Sequence, residues 1–261
     1  MSFFKQIKRG GDIAPPRILL YGVAGVGKST FAANAPNPIF LPTEEGMGIL
    51  KASSFPLMRR YDDVMAAIGE LYTEEHDFQT LVVDSLDWLE PLIWQKVCED
   101  NKIKSIEDLG YGKGYIQAVD RWRDYLDGIN SLRDHKGMSI VQIAHSHIKR
   151  FDSPTHDSYD RYEIKLHAKA SALVQEHSDC VFFANYRVST TEKVVGFNKT
   201  KTRAVGGGER VLYTEERPAY LAKNRYGLPD MMPLDWNAFS QALATSIATP
   251  TQATEQDKAN G

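Results

Sequence analysis

The octapeptide 22–29, GVAGVGKS, narrows what this chain can fold into more than any other feature. It fits G-x-x-x-x-G-K-[ST] at every position. It also sits where that pattern has a mechanism, after the apolar run 17–21 (RILLY) and ahead of residues 30–34, which continue as helix until Pro36 and Pro38. Gly22, Gly25 and Gly27 let the loop wrap closely, so that its backbone N–H groups, including that of Val26, face a phosphate chain. Lys28 would reach the β- and γ-phosphates, Ser29 would ligate Mg²⁺, and Thr30 would lie near the α-phosphate. ATP and Mg²⁺ are the expected cofactors.

The rest of the chain supplies a setting for such a loop. Short apolar runs at 39–41, 79–84 (QTLVVD) and 138–144 (MSIVQIA) read as buried strands. Helical spacing separates them at 62–72, 86–98 and 116–133, the last after a glycine-rich loop at 110–115 (GYGKGY). Four apolar strands alternating with helices predict an α/β fold, a mainly parallel sheet flanked by helices. After Ser178 the texture becomes β-rich at 180–186, 193–198, 210–214 and 218–222, with Gly206-Gly207-Gly208 as a turn. The expectation is an antiparallel β extension in the C-terminal third. Residues 1–16 read as a leader, 17–244 as one ATPase domain and 245–261, small and polar, as a disordered tail.

Three acidic or imidazole groups follow strand ends, where a crevice over such a sheet collects its ligands. Asp84 closes the run 80–84 and would orient the Mg²⁺-bound water; its alternative is to cap the helix that follows. Glu44 and Glu45 lie just beyond the second strand, and either is a candidate base for activating water. His145, with Ser146 or His147, is a candidate sensor of the γ-phosphate. The set His145, His147 and His156 matches no standard zinc spacing.

Composition excludes little but sets the context. The net charge of −3 offers no global attraction to nucleic acid, although residues 187–225 hold nine Lys/Arg against four Glu. That stretch is either a solvated hairpin surface or a local contact for a polyanion. No apolar run approaches a membrane span and the start, MSFFKQIKRG, has no signal-peptide core, so no membrane partner and a cytoplasmic setting are expected. Cys98 and Cys180 form neither a metal-ligand pattern nor a disulfide framework.

With these residues in view, the chain resembles the small phage-encoded, RecA-like P-loop ATPases that act as single-strand annealing recombinases. The resemblance spans residues 17–233 and rests on GVAGVGKST, VVDSLDWLE, IAHSHIKRF and YTEERPAYLAKNRYGLP. It implies a RecA-like core, Glu44 rather than Glu45 as the water-activating acid, and His145 in the place of a strand-end glutamine that links γ-phosphate to DNA loops. It further implies that Lys223 and Arg225 reach across a subunit boundary to a neighbour's ATP. Two segments would face single-stranded DNA: 110–115, through Lys113 and Tyr115, and 149–169, through Lys149, Arg150, Phe151 and Arg161. Rings that stack on bases among cations that pair with phosphates suit that role. Yet 149–169 holds five cations against four acids, and a mobile lid is an equal reading of it.

The resemblance also implies assembly of the chain with itself as a filament or ring, the leader docking Phe3 or Phe4 on a neighbour, and a phage or host single-strand-binding protein as a partner. The setting would then be the cytoplasm of an infected bacterium. Function on this reading is ATP-dependent annealing of complementary strands. The alternative is a P-loop motor or helicase-loader subunit that acts on a protein complex.

Overall fold

The computed structural model describes residues 14–46, 48, 50–153, 157–187, 189–194, 200–205 and 207–248. Its spine is the β-strand β1 (Arg17–Gly22), flanked on one side by β5 (Ser139–Phe151) and on the other by β7 (Cys180–Tyr186), parallel to both. Beyond β5 the sheet continues in parallel through β4 (Thr80–Asp84), β2 (Pro38–Pro42) and the two-residue β3 (Ser53–Ser54). Beyond β7 it turns antiparallel through β10 (Arg210–Tyr213) and β12 (Met231–Pro233). The expected fold class is therefore observed, antiparallel extension included.

Side-chain alternation along the central strands decides which helices cover which face. Leu19, Tyr21, Leu81, Val83, Ile140, Val181 and Phe183 point to one face and join a single buried cluster. Over it lie α2 (Tyr61–Thr73), α3 (Leu86–Asn101), α4 (Lys113–Lys136) and α5 (Ala168–His177). Ile18, Leu20, Val82, Val141, Ile143 and Phe182 point to the other face. There α1 (Lys28–Ala33) and α6 (Trp236–Ala248) close the core, with Phe31, Trp236 and Phe239 in mutual ring contact. Both faces are buried, which is why these strands read as unbroken apolar runs.

Several local expectations are corrected. The glycine-rich segment 110–115 is a loop only as far as Gly112, the left-handed residue (φ 71°) before α4; Lys113 and Tyr115 lie in the helix's first turn. The polar segment 149–169 is, in its described residues, largely strand and helix. It holds the end of β5, the antiparallel β6 (Tyr159–Ile164) and the start of α5. Polar residues form strand there because Ser146–Ile164 through Phe151–Tyr159 pair in register, a long-range fact that no local period carries. Residues 218–222 form no strand; β11 (Lys223–Asn224) follows them and pairs with β7. The hairpin of β8 (Ser189–Val194) and β9 (Thr200–Val205) stands apart from the main sheet.

α6 runs through Ala248, so the first four residues of the expected tail are helical. Residues 249–261, residues 1–13 of the leader with Phe3 and Phe4, His156, residues 195–199 and Gly206 lie outside the described residues. Cys180 is buried, with its thiol pushed up to about 12 by burial, and Cys98 is half-buried; both are free. Among the described residues no helix is long and apolar enough to cross a membrane.

Candidate nucleotide site

β1 ends at Gly22, where the sheet leaves no room for a side chain: a Cβ there would run into the Ala184 carbonyl of β7. The loop then turns through Gly25 (φ 73°) and Gly27 (φ 107°), both in the region that favours glycine, and enters α1 at Lys28. Val26 is fully buried beneath the loop and anchors it to the core. Lys28 is buried as well, and its Nζ donates to the carbonyls of Gly22 (3.1 Å) and Val23 (3.0 Å). Burial holds the Lys28 ammonium below its ordinary pKa, against the opposing charges of Asp84, Asp87 and Glu44.

The neighbouring strand ends bring acids to this loop. Ser29 Oγ donates to Asp84 Oδ2 at 2.6 Å, which joins the start of α1 to the end of β4. Burial raises the Asp84 carboxyl, while Ser29 and Lys28 pull it back. Thr43 fixes β2 against β4: its N–H donates to the Asp84 carbonyl (2.8 Å), its hydroxyl donates to the Ser85 carbonyl (2.6 Å) and accepts from Ser85 N (2.8 Å). That clamp sets Glu44, the next residue, on the rim of the same concavity. Glu44 is half-buried and its carboxyl is raised, chiefly by burial. Glu45 is exposed and borders the adjoining cleft with Thr43, Arg59 and Trp88.

His145, on β5 directly beside Gly22, completes the rim. Its backbone N–H donates to Asp87 Oδ1 (2.9 Å) and its Nδ1 lies 3.0 Å from Asp87 Oδ2, with Glu44 Oε1 4.0 Å away. The hydrogen bond to Asp87 raises the imidazole pKa in spite of partial burial. Burial would raise the Asp87 carboxyl too, but the bonds from His145 outweigh it and hold it low. Together Gly25, Gly27, Lys28, Ser29, Thr30, Glu44, Asp84 and His145 line a concavity of about 330 Å³.

Its donor set suits a nucleotide triphosphate with Mg²⁺. Loop residues Gly25 and Gly27 line the cavity with Lys28, while the hydroxyl of Ser29 and the carboxylate of Asp84 lie one hydrogen bond apart. Mg²⁺ takes one or two protein oxygens and fills its remaining positions with water and phosphate. Among the described residues there is no cluster of three or more His, Cys, Asp or Glu fit to hold a metal by side chains alone.

Asp87 was not among the sequence candidates, although it lies one helical turn past Asp84 within VVDSLDWLE. The spacing was visible, but the partner on β5 that gives it meaning was not. Glu90, a further turn along α3, is also buried; both its oxygens accept from His167 N (3.1 and 3.0 Å), and burial raises it to about 7.

The remaining candidates are dispersed. Lys223 and Arg225 lie by the first residues of β7, at the sheet end opposite the loop, and so do not meet their own chain's concavity. Lys223 Nζ donates to the carbonyls of Gln175, Glu176 and Ser178 at the end of α5. Arg225 is half exposed, 3.4 Å from Asp179, the carboxylate that also binds Arg17 and Arg133. Tyr115 stacks on His167 (4.5 Å between centroids, 3° between planes) and donates to Glu107, so its ring is already engaged; Lys113 is exposed.

On the β5–β6 hairpin, Arg161 is well covered, lies over the Phe151 ring (4.0 Å) and pairs with Glu163 and Glu216. Lys149 pairs with Glu163 and Arg150 with Asp152, both cations staying largely exposed. The basic appearance of residues 187–225 is reduced in the same way, with Arg187 on Glu209 and Arg217 on Glu215 and Asp230.

A family model described as an AAA domain matches residues 14–226. The SPbeta prophage-derived uncharacterized protein YorG of Bacillus subtilis (strain 168) is 25% identical over 137 residues, which cover 49% of this chain and 40% of that protein. This chain thus matches well under half the length of that curated relative. Among solved structures, the RadB recombinase is similar at 16% identity and a TM-score of 0.44, over 81% of this chain and 87% of that one.

Proposed function

This chain belongs to the AAA domain family of P-loop ATPases, and from that premise we propose that it is an ATP-gated, self-assembling protein that binds single-stranded DNA and promotes annealing of complementary strands in phage recombination. The observation that carries the ATPase half is the 2.6 Å Ser29–Asp84 contact beside buried Lys28, with Glu44 and His145 on the rim. Ser29 and Asp84 would hold Mg²⁺, which when bound offsets phosphate charge and orients water and phosphate oxygens. Lys28 would exchange its two carbonyl partners for β- and γ-phosphate oxygens. Glu44, raised by burial, is suited to accept a proton from the attacking water. His145 would donate to the γ-phosphate through Nε2, because Asp87 occupies Nδ1.

The DNA half is supported by continuity. β5 carries His145 at the nucleotide and runs without a break into the hairpin with exposed Ile148, Lys149 and Arg150. A shift at His145 on loss of γ-phosphate would therefore move that hairpin, which is the two-state coupling an ATP gate requires. Arg225, exposed and away from its own site, is the better placed of the two cations to reach a neighbour's ATP. The prophage origin printed for the Bacillus subtilis relative supports a phage setting.

A second reading, a motor or loader subunit acting on a protein complex, is favoured by the hairpin's internal neutralisation. Lys149 and Arg161 both spend charge on Glu163, while Ile148 and Trp88 present apolar surface. Hydrolysis measured with and without single-stranded DNA separates the two, with Lys28→Ala as blank and duplex DNA as control. Stimulation by single strands alone is expected. Lys28-dependent hydrolysis indifferent to DNA would leave the ATPase and remove the recombinase.

A further inference from the structure

Arg210 is a cation that the hydrolytic machinery above does not use. It opens β10 directly opposite Tyr186, two residues beyond the Ala184 that pairs with Gly22. This brings it over the nucleotide loop on the β7–β10 side of β1. A Cβ placed on Gly27 would stand 2.9 Å from Arg210 Nη1 and 3.8 Å from Leu234 Cδ2. The guanidinium thus rests against Gly27, whose φ of 107° is the part of this geometry that favours glycine.

Its pairing sets it apart from its neighbours. Glu209, the adjacent carboxylate, is taken by Arg187 at 3.3 Å. Arg217 and Arg225 each have an acid. Among the described residues the exposed Arg210 side chain has no hydrogen bond or ion pair. An uncompensated guanidinium beside the glycine loop is a local positive charge that an anion would relieve.

Direction identifies which part of the anion. The groups suited to metal and attacking water, Asp84, Glu44 and His145, stand on β4, just past β2 and on β5, all on one side of β1. A triphosphate lying along the loop has its γ end on that side. Its nucleoside end then leaves over β7 and β10, where Arg210 is. We infer that Arg210 is an in-cis nucleotide-binding residue, its guanidinium pairing with the α-phosphate shared by ATP and ADP. This inference rests on the ATPase reading above.

The test is calorimetric titration of ATP-Mg²⁺ and ADP-Mg²⁺ into wild type, Arg210→Gln, Arg210→Lys and Lys28→Ala. Arg210→Gln is expected to weaken ATP and ADP by the same factor, about 10- to 100-fold for one charge-assisted hydrogen bond. Arg210→Lys should recover part of the affinity, as a point charge without the fork. Melting temperature without nucleotide should be unchanged in Arg210→Gln, because the side chain has no hydrogen bond or ion pair among the described residues to lose. Equal affinities in wild type and Arg210→Gln would overturn the assignment, and so would a loss confined to ATP, which would put the guanidinium on the γ-phosphate. If wild type binds and Lys28→Ala does not, either result counts against Arg210 alone; if wild type binds neither nucleotide, the ATPase reading fails and takes this inference with it.

Discussion

Asp87 receives both the backbone N–H and the ring Nδ1 of His145, at 2.9 and 3.0 Å, so one carboxylate fixes the position and the tautomer of the residue beside the nucleotide loop. A carboxylate can only accept, so Nδ1 carries the proton and Nε2 remains for a phosphate.

Asp87→Asn should therefore lower the His145 pKa. His145 is raised in the fold, so its share of stability is present below its unfolded value of about 6.5 and is lost as pH rises through the higher folded value. Asp87 is depressed, so its share is present above about 4 and is lost as pH falls through the lower folded value. Urea denaturation should find the variant weaker by about 2 kcal/mol near pH 5–6. The deficit should shrink above the folded His145 pKa. A pH-independent deficit would mean that the backbone contact alone matters.

Glu44 and Glu45 are adjacent in sequence but not in exposure. Glu44→Gln should cut hydrolysis by about 100-fold or more and leave ATP binding intact, while Glu45→Gln stays near wild type. Lys28→Ala should remove the thermal stabilisation that ATP confers. Equal losses in the two glutamine variants would show that the rim geometry does not choose the base.

Glu90 makes a separate pH prediction. Its carboxyl is raised to about 7, so burying it costs nothing while it is protonated in both states. The cost grows as pH rises above its unfolded value and is complete above about 7. Glu90→Gln removes that cost and keeps an oxygen for the His167 N–H. The variant should gain about 2 kcal/mol over wild type at pH 8 and little at pH 4. Chemical denaturation at the two pH values is the check.

Lys223 and Arg225 should separate by phenotype. Lys223→Ala leaves three carbonyls at the end of α5 without their donor and should cost about 1–3 kcal/mol of stability. Arg225→Ala should fold normally and lose any dependence of specific ATPase activity on protein concentration. If specific activity responds to concentration equally in Arg225→Ala and wild type, Arg225 does not act across a subunit boundary.

The parallel core was legible because it is built from local signals. Apolar runs at β1, β4 and β5 each end at glycine, acid or histidine, and both faces of the sheet are buried, so burial and strand order leave a direct trace in residue type. The hairpin of β5 and β6 left none, since its stability comes from pairing Ser146 with Ile164 and Phe151 with Tyr159 across the turn. The last four residues of α6, 245–248, read as part of a polar tail because they carry no local sign of a helix whose packing rests on Trp236 and Phe239 against Phe31.

What the sequence determined by itself was the loop 22–29 and the acid at Asp84, because a phosphate cradle needs particular residues at adjacent positions and the chain connects them directly. Everything that depends on which charges meet was decided by tertiary structure. Asp87 acquires meaning only when β5 lies beside β4, Glu44 parts from Glu45 only when Thr43 binds Ser85, and Arg210 comes to rest on Gly27 only when β10 folds against β7. Arg161 looks free in the sequence and is spent on Glu163 and Glu216 in the fold. A charge acts through the opposite charge nearest to it in space, and that neighbour is chosen by the sheet order.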